Sequence, residues 1–179
     1  MRKLFIFCLI NLSFISTLCA QSKVEKQKAI AIIENIMYYE YYLGTKCYEK
    51  TEITYFDTEE RIEINQTNYI DENSNFKNKY SFYLNDLDLT SLVYDLYENE
   101  PGLYFVFIQI SAKPKSIEKN QVSIYKKDFP YPTSKNEYLD KIEISYSKVI
   151  PENIALRLVE NLKVLFGAKN YRKVNLLQK

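Results

Sequence analysis

The apolar positions near the start of this chain follow a helical period. In residues 23–43, KVEKQKAIAIIENIMYYEYYL, apolar side chains recur every three or four positions. That spacing places them on the broad apolar surface of a single helix. Gly44 comes next, and glycine suits the left-handed conformation that ends many helices. The pattern therefore predicts an N-terminal helix over residues 23–43.

Strict alternation of apolar and polar positions then predicts a β-hairpin. Ile53 and Tyr55 share one face of the segment TEITYFD, and Ile62 and Ile64 share one face of RIEIN. A period of two is typical of a half-buried strand, and the polar residues between the two segments form the turn. Residues 65–78 are rich in Asn and Ser, which favours a loop.

The middle of the chain contains its most apolar strand candidate. Residues 103–111, LYFVFIQIS, are apolar towards both faces, which predicts a strand at the centre of a sheet. Before it, residues 90–98 fit a short helix or an irregular crossing, and Pro101-Gly102 marks a turn. The remaining assignments in this region are strands over 79–84, 121–127 and 138–149, a polar turn over 113–120 and an irregular stretch over 129–136.

A second helix is predicted over residues 151–167, PENIALRLVENLKVLFG. Proline suits the first position of a helix and glycine the position after its end, which fits Pro151 and Gly167. The apolar stripe of this helix comprises Ile154, Leu158, Leu162 and Leu165, with Phe166 beside it. Residues 165–179 include a basic tail that receives no assignment.

These elements predict an α+β fold. It consists of a mainly antiparallel, curved sheet of five or six strands with an N-terminal and a C-terminal helix. The order of elements resembles that of pleckstrin-homology-like domains, and this resemblance implies a partly open barrel closed by the last helix. The length of residues 21–179 fits one domain, with a core large enough to fold without disulfides or metals.

The first 20 residues have the pattern of a secretory signal peptide. Arg2 and Lys3 precede a mostly apolar run over residues 4–18, which is shorter than the roughly 20 residues of a membrane-spanning helix. Cleavage after Ala20 would leave Gln21 as the first mature residue. The expected location is therefore the periplasm or the exterior of the cell, with an uncleaved anchor as an alternative.

A second alternative is a bacterial lipoprotein anchored through Cys19. The sequence resembles the lipoprotein motif only through this cysteine, because Leu18 occupies a position that is usually small. Membrane association is expected only if Cys19 carries lipid. Abundant Lys, Asn, Ile and Tyr, together with the leader, resemble exported proteins of Gram-negative bacteria such as the Bacteroidota.

Several kinds of chemistry lack the residues they need. The chain has no histidine, which excludes catalytic arrangements built on Ser-His-Asp or Cys-His and removes the commonest zinc ligand. Cys47, the one cysteine beyond the leader region, is expected to be buried. Asp86 and Asp88 do not begin a calcium loop, because Ser91 stands where such a loop requires glycine. No catalytic, cofactor-binding or metal-binding residue is assigned, and no cofactor is expected.

The most suggestive feature is the stretch YYEYY. On a helix, Tyr38 and Tyr42 would share one face and Tyr39 would lie on another. One set could then contact a protein or glycan partner, since tyrosine is enriched at interfaces. Packing of all of them beneath the sheet is the commoner outcome for aromatic residues. The partner-binding candidates are Tyr38, Tyr39, Tyr41 and Tyr42.

Three functional classes follow from these observations. The leading expectation is an exported, non-catalytic domain that binds a protein or an envelope component. A near-neutral net charge of +1 argues against nucleic acid as its partner. One alternative is a hydrolase that uses carboxylates, which predicts a cleft where acidic groups converge and at least one carboxyl pKa is raised. The other is a structural or assembly subunit of the cell envelope.

Overall fold

A computed structural model describes residues 23–42, 46–71, 74–125 and 133–175, and within them the chain is α+β. The signal peptide, with Cys19, Ala20 and Gln21, lies outside the described residues. Two α-helices are present in the described part, α1 over residues 23–36 and α2 over Glu152–Phe166. The strands are β1 (Tyr39–Tyr42), β2 (Lys46–Phe56), β3 (Arg61–Asp71), β4 (Ser74–Tyr83), β5 (Val93–Glu100), β6 (Leu103–Ser111), β7 (Ile117–Tyr125), β8 (Thr133–Leu139), β9 (Lys141–Pro151) and β10 (Arg172–Lys173).

Six strands form an antiparallel sheet in the order β1-β2-β3-β4-β7-β8. The predicted hairpin is confirmed as β2 and β3, with Ile53 opposite Ile64 and Tyr55 opposite Ile62. The predicted loop over residues 65–78 is wrong, because nearly all of it belongs to β3 and β4. Asn and Ser disfavour strands only weakly, and pairing with both neighbours outweighs that preference here.

A second sheet has four strands in the order β10-β5-β6-β9, antiparallel except for the β10–β5 pair. The prediction that residues 103–111 form a central strand is confirmed, since β6 lies between β5 and β9. The helical or irregular assignment of residues 90–98 is wrong, because β5 covers most of that segment. Residues 133–136, expected to be irregular, belong to β8.

Helix α2 packs against both sheets. It contacts β5, β6 and β9 of the four-stranded sheet, and the ring of Phe166 meets Phe82 of β4 edge-on with 6.0 Å between ring centroids. Pro151 is the last residue of β9, so the helix begins at Glu152, one residue later than predicted. Gly167 ends it in the left-handed conformation at φ +72°. The buried stripe comprises Ala155, Leu158, Val159, Leu162, Leu165 and Phe166.

Helix α1 is shorter than its sequence pattern predicts. It ends at residue 36, and the tyrosine-rich segment after it becomes β1, paired with β2. Tyrosine favours strands, and β2 offers backbone partners that a local pattern cannot reveal. Farther along β2, the backbone N–H of Ile53 donates to Glu34 of α1 at 2.6 Å. Helix α1 and β1 therefore lie along the same edge of β2.

The six-stranded sheet is not a closed barrel. Within the described residues, β1 and β8 form its two edges and do not pair with each other. The partly open barrel implied by the resemblance to pleckstrin-homology-like domains is therefore not confirmed, because the strands of the described ranges divide between two sheets. Neither described helix is both long and apolar enough to cross a lipid bilayer.

Candidate binding sites

The tyrosines of YYEYY fall on two sides of β1 because side chains alternate along a strand. Tyr39 and Tyr41 share one face, where their rings stack with 5.4 Å between centroids. Lys148 of β9 places its ammonium 4.6 Å from the centroid of the Tyr39 ring. Tyr38, just before the strand, is 47% exposed. The prediction that Tyr38 and Tyr42 lie on a helix is wrong, because α1 ends at residue 36 and residues 39–42 form β1.

Tyr38 belongs instead to a groove built by three strands. This tyrosine groove is lined by Tyr38, Glu40, Lys46, Tyr48, Lys50 and Tyr69 and has a volume of about 530 Å³. Tyr48 and Tyr69 lie directly opposite each other on β2 and β3. Their rings stack with 5.1 Å between centroids and 14° between planes. Neither residue carries a local signal in the sequence, because only the pairing of β1, β2 and β3 brings them to Tyr38.

Fixed charges border the tyrosine groove. Lys46 Nζ lies 2.6 Å from Glu40 Oε1, and Lys50 Nζ lies 2.8 Å from Glu52 Oε1. Hydrogen bonds from Lys46 and from the Tyr38 hydroxyl lower the pKa of Glu40. The same bond to Glu40 raises the pKa of Tyr38. The groove therefore combines one acidic side chain, two lysine side chains and three tyrosine rings.

A second concave feature lies where the two sheets approach each other. This cavity has a volume of about 320 Å³. The six-stranded sheet contributes an amide wall to it, defined as Gln66, Asn68 and Asn78. Phe105, Phe107, Ser145 and Tyr146 contribute from the four-stranded sheet. Ser145 is exposed, so the cavity reaches the surface.

Strand register explains how the amide wall forms. Ile53, Ile64 and Tyr80 form one buried row across β2, β3 and β4. The next row on the same face consists of Thr51, Gln66 and Asn78, and the row after it of Glu49, Asn68 and Phe76. The face therefore changes from apolar to polar within a single step of two residues, and the cavity lies over the polar part.

Two amides of the wall have unsatisfied acceptors. Asn68 Nδ2 donates to Glu49 Oε1 at 2.9 Å, which orients the amide because a carboxylate only accepts hydrogen bonds. The Oδ1 atoms of Asn68 and Asn78 are buried without a hydrogen-bond partner. An unsatisfied buried acceptor costs about 1–3 kcal/mol, and folded proteins contain few of them. Their presence in the wall of a cavity calls for a specific reason.

Tyr146 connects the cavity with the tyrosine groove. Its buried ring lines the cavity, and its hydroxyl donates to the backbone oxygen of Tyr38 at 3.5 Å. Burial raises the pKa of Tyr146 to about 12, so the hydroxyl remains a donor at neutral pH. Through this bond the four-stranded sheet contacts the backbone of Tyr38, which precedes β1 and lines the groove.

The carboxylates considered from sequence are engaged in separate local interactions. Asp86 Oδ1 lies 2.9 Å from Lys113 Nζ, and Asp88 accepts hydrogen bonds from the hydroxyl and backbone N–H of Thr90, which lower its pKa. The hydrolase alternative expected a raised carboxyl pKa. Every described carboxyl group with a shifted pKa is shifted downward: Glu40, Glu63, Asp88 and Glu137.

Two other sequence expectations concern cysteine and metals. Cys47 is buried as expected, and its thiol donates to the backbone oxygen of Ile70 at 3.1 Å. In the part of the chain that the structure describes, no three acidic or cysteine side chains are grouped to hold a metal ion.

Comparison with known proteins gives no family for this chain. No family model matches it, and no similar sequence among curated proteins or similar fold among solved structures was found. The interpretation of both sites therefore rests on their own residues.

Proposed function

We propose that this protein is an exported, non-catalytic domain that binds a protein component of the cell envelope through the tyrosine groove. The supporting observation is the stacked Tyr48–Tyr69 pair beside the half-exposed Tyr38. Tyrosine is enriched at protein interfaces because it offers a large contact area and loses little conformational entropy on binding. Export is proposed from the leader pattern of residues 1–20.

The position of the groove favours an extended protein segment as its occupant. The groove borders β1, which is an edge strand of the six-stranded sheet. An edge strand can pair with a partner's backbone while neighbouring pockets accept alternate side chains of the added segment. Lys46, Lys50 and Glu40 supply both signs of charge, which contribute to specificity and alignment more than to affinity.

Photo-crosslinking in cells that produce the protein tests this proposal. We would place p-benzoylphenylalanine at the position of Tyr38 or Tyr69, and at Tyr138 of β8 as the matched control. Tyr138 is 64% exposed and does not line the groove. The expected result is one covalent adduct with the same protein from both groove positions and none from Tyr138. Equal adducts from all three positions, or none from the groove, would overturn the proposal.

Affinity for the crosslinked partner gives a quantitative check. Removal of an aromatic side chain at the centre of an interface costs about 2 kcal/mol, or about 30-fold in Kd. Tyr69→Ser should therefore weaken binding by about that factor, whereas Tyr138→Ser should leave it unchanged. Crosslinking only to a second copy of the chain would favour the assembly-subunit alternative, and binding only to glycans would contradict a protein partner.

A further inference from the structure

The amide wall is polar at a position where packing alone favours apolar side chains. Thr51, Gln66 and Asn78 continue the same face as the buried row of Ile53 and Ile64. Phe105, Phe107 and Tyr146 of the four-stranded sheet line the same cavity. Apolar residues would fill this space at a gain in stability, whereas buried polar groups cost free energy unless they are paired. Departures of this kind concentrate at functional sites.

The hydrogen-bonding groups of the wall indicate what a ligand must supply. The buried Oδ1 atoms of Asn68 and Asn78 need donors. Gln66 can both donate and accept, as can the hydroxyls of Thr51 and Ser145. A ligand with several closely spaced hydroxyl groups matches this mixture, because each hydroxyl donates one hydrogen bond and accepts others.

The rest of the lining provides flat apolar surfaces. Phe76, Phe105 and Phe107 contribute aromatic rings to the cavity. Such rings complement the C–H face of a sugar, while the amides complement its hydroxyls. The volume of about 320 Å³ is near the lower end of the ~300–1,000 Å³ typical of small-molecule pockets. It suits a single sugar residue better than a nucleotide or a long chain.

The charge of the lining favours a neutral ligand. Glu49 and Lys50 are its acidic and basic residues among those described, and their formal charges cancel. The ammonium of Lys50 lies 2.8 Å from Glu52, so it is already engaged by a carboxylate. We infer that the cavity between the two sheets is a binding site for a neutral sugar residue, held by the amide wall and the phenylalanine rings.

Binding of simple glycosides by the protein, purified as its host produces it, tests this inference. The probes are the methyl pyranosides of glucose, galactose, mannose and N-acetylglucosamine, measured by saturation-transfer NMR and calorimetry. At least one should bind saturably. Asn78→Leu should weaken it by about tenfold or more, because the leucine cannot hydrogen-bond a hydroxyl. Asn75→Leu is the matched control, since Asn75 Oδ1 is also buried and unsatisfied but does not line the cavity.

A second variant separates loss of the site from loss of the fold. Ser145→Phe fills the cavity from its exposed rim and should abolish glycoside binding while the protein unfolds at an unchanged urea concentration. Tyr69→Ser, which alters the tyrosine groove, should leave glycoside binding intact. The inference is overturned if no neutral glycoside binds, if only charged sugars or amines bind, or if Asn78→Leu and Ser145→Phe bind like the wild type.

Discussion

Asn68 of β3 donates its side-chain N–H to the carboxylate of Glu49 on β2, with 2.9 Å between Nδ2 and Oε1. The two residues are direct cross-strand neighbours. This bond fixes which end of the amide meets β2 and leaves Asn68 Oδ1 buried without a partner. The amides of Asn68 and Asn78 lie on one face of the sheet, and each has a buried oxygen without a partner. They differ because the Asn68 amide is also hydrogen-bonded to a carboxylate.

That difference predicts different effects on stability for two similar substitutions. Both remove a buried acceptor without a partner, but only Asn68→Leu also removes a hydrogen bond to a charged group, so its free energy of unfolding should be about 1.5–3 kcal/mol lower than that of Asn78→Leu. Asn78→Leu should leave it unchanged or raise it by about 1 kcal/mol, because it removes a buried acceptor that has no partner. Urea unfolding of both variants measures the difference. Equal losses of stability would contradict this account of the wall.

The contact between Phe166 and Phe82 should contribute strongly to stability. Both rings are almost completely buried, and they join α2 to the six-stranded sheet. Phe166→Ala should cost about 3–5 kcal/mol through lost burial and the cavity left behind. Tyr83→Ala, next to Phe82 but 49% exposed, is the control and should change stability by less than about 0.5 kcal/mol. Similar urea midpoints for the two variants would show that packing of α2 against the six-stranded sheet through Phe166 contributes little to stability.

The end of α2 depends on the backbone freedom of Gly167. Its φ is +72°, and an added Cβ would have no heavy atom within 4 Å. Gly167→Ala should therefore cost about 1–2 kcal/mol from backbone conformation alone, without any clash. Gly167→Asn should cost less, because asparagine tolerates the left-handed region better. Thermal unfolding of both variants provides the comparison. An unchanged midpoint for Gly167→Ala would contradict the left-handed backbone conformation of Gly167.

Acid should destabilise the protein in part through Glu63. Burial raises the pKa of this carboxyl, but hydrogen bonds from Lys79 and Arg61 outweigh burial, so the folded-state pKa lies below the ordinary 4.5. A lowered folded-state pKa contributes stability that is present above 4.5 and is lost as the pH falls through the folded value. Glu63→Gln should therefore lose less stability than the wild type between neutral pH and about pH 3. Identical losses, measured by urea unfolding at both pH values, would show that Glu63 does not contribute.

The accuracy of the sequence predictions differed between elements for identifiable reasons. The β2–β3 hairpin and α2 were recognised because their apolar residues repeat at the period of the element that forms. YYEYY was assigned to a helix because it follows helical residues without a break, yet pairing with β2 made it a strand. The Asn and Ser content of residues 65–78 favours a loop, yet this segment supplies every member of the amide wall through β3 and β4.

The two candidate sites were accordingly only partly accessible from sequence. Tyr38 was selected as a binding residue, but its neighbours Tyr48 and Tyr69 come from other strands and carried no local signal. Gln66 and Asn68 are two residues apart, the spacing that places them on a shared face once the segment is known to be a strand. Their polarity concealed it, because alternation is recognised through apolar residues.

By itself, the sequence determined the α+β class, the two terminal helices, the apolar strands and the absence of histidine chemistry. Each of these follows from residue type or from periodicity within one segment. Only the tertiary structure decided that strands divide between two sheets, that Tyr48 stacks on Tyr69, and that the amide wall lines one cavity together with Phe105 and Phe107. The physical reason is that strand pairing joins residues far apart in the chain, and the register of those pairs decides which side chains meet.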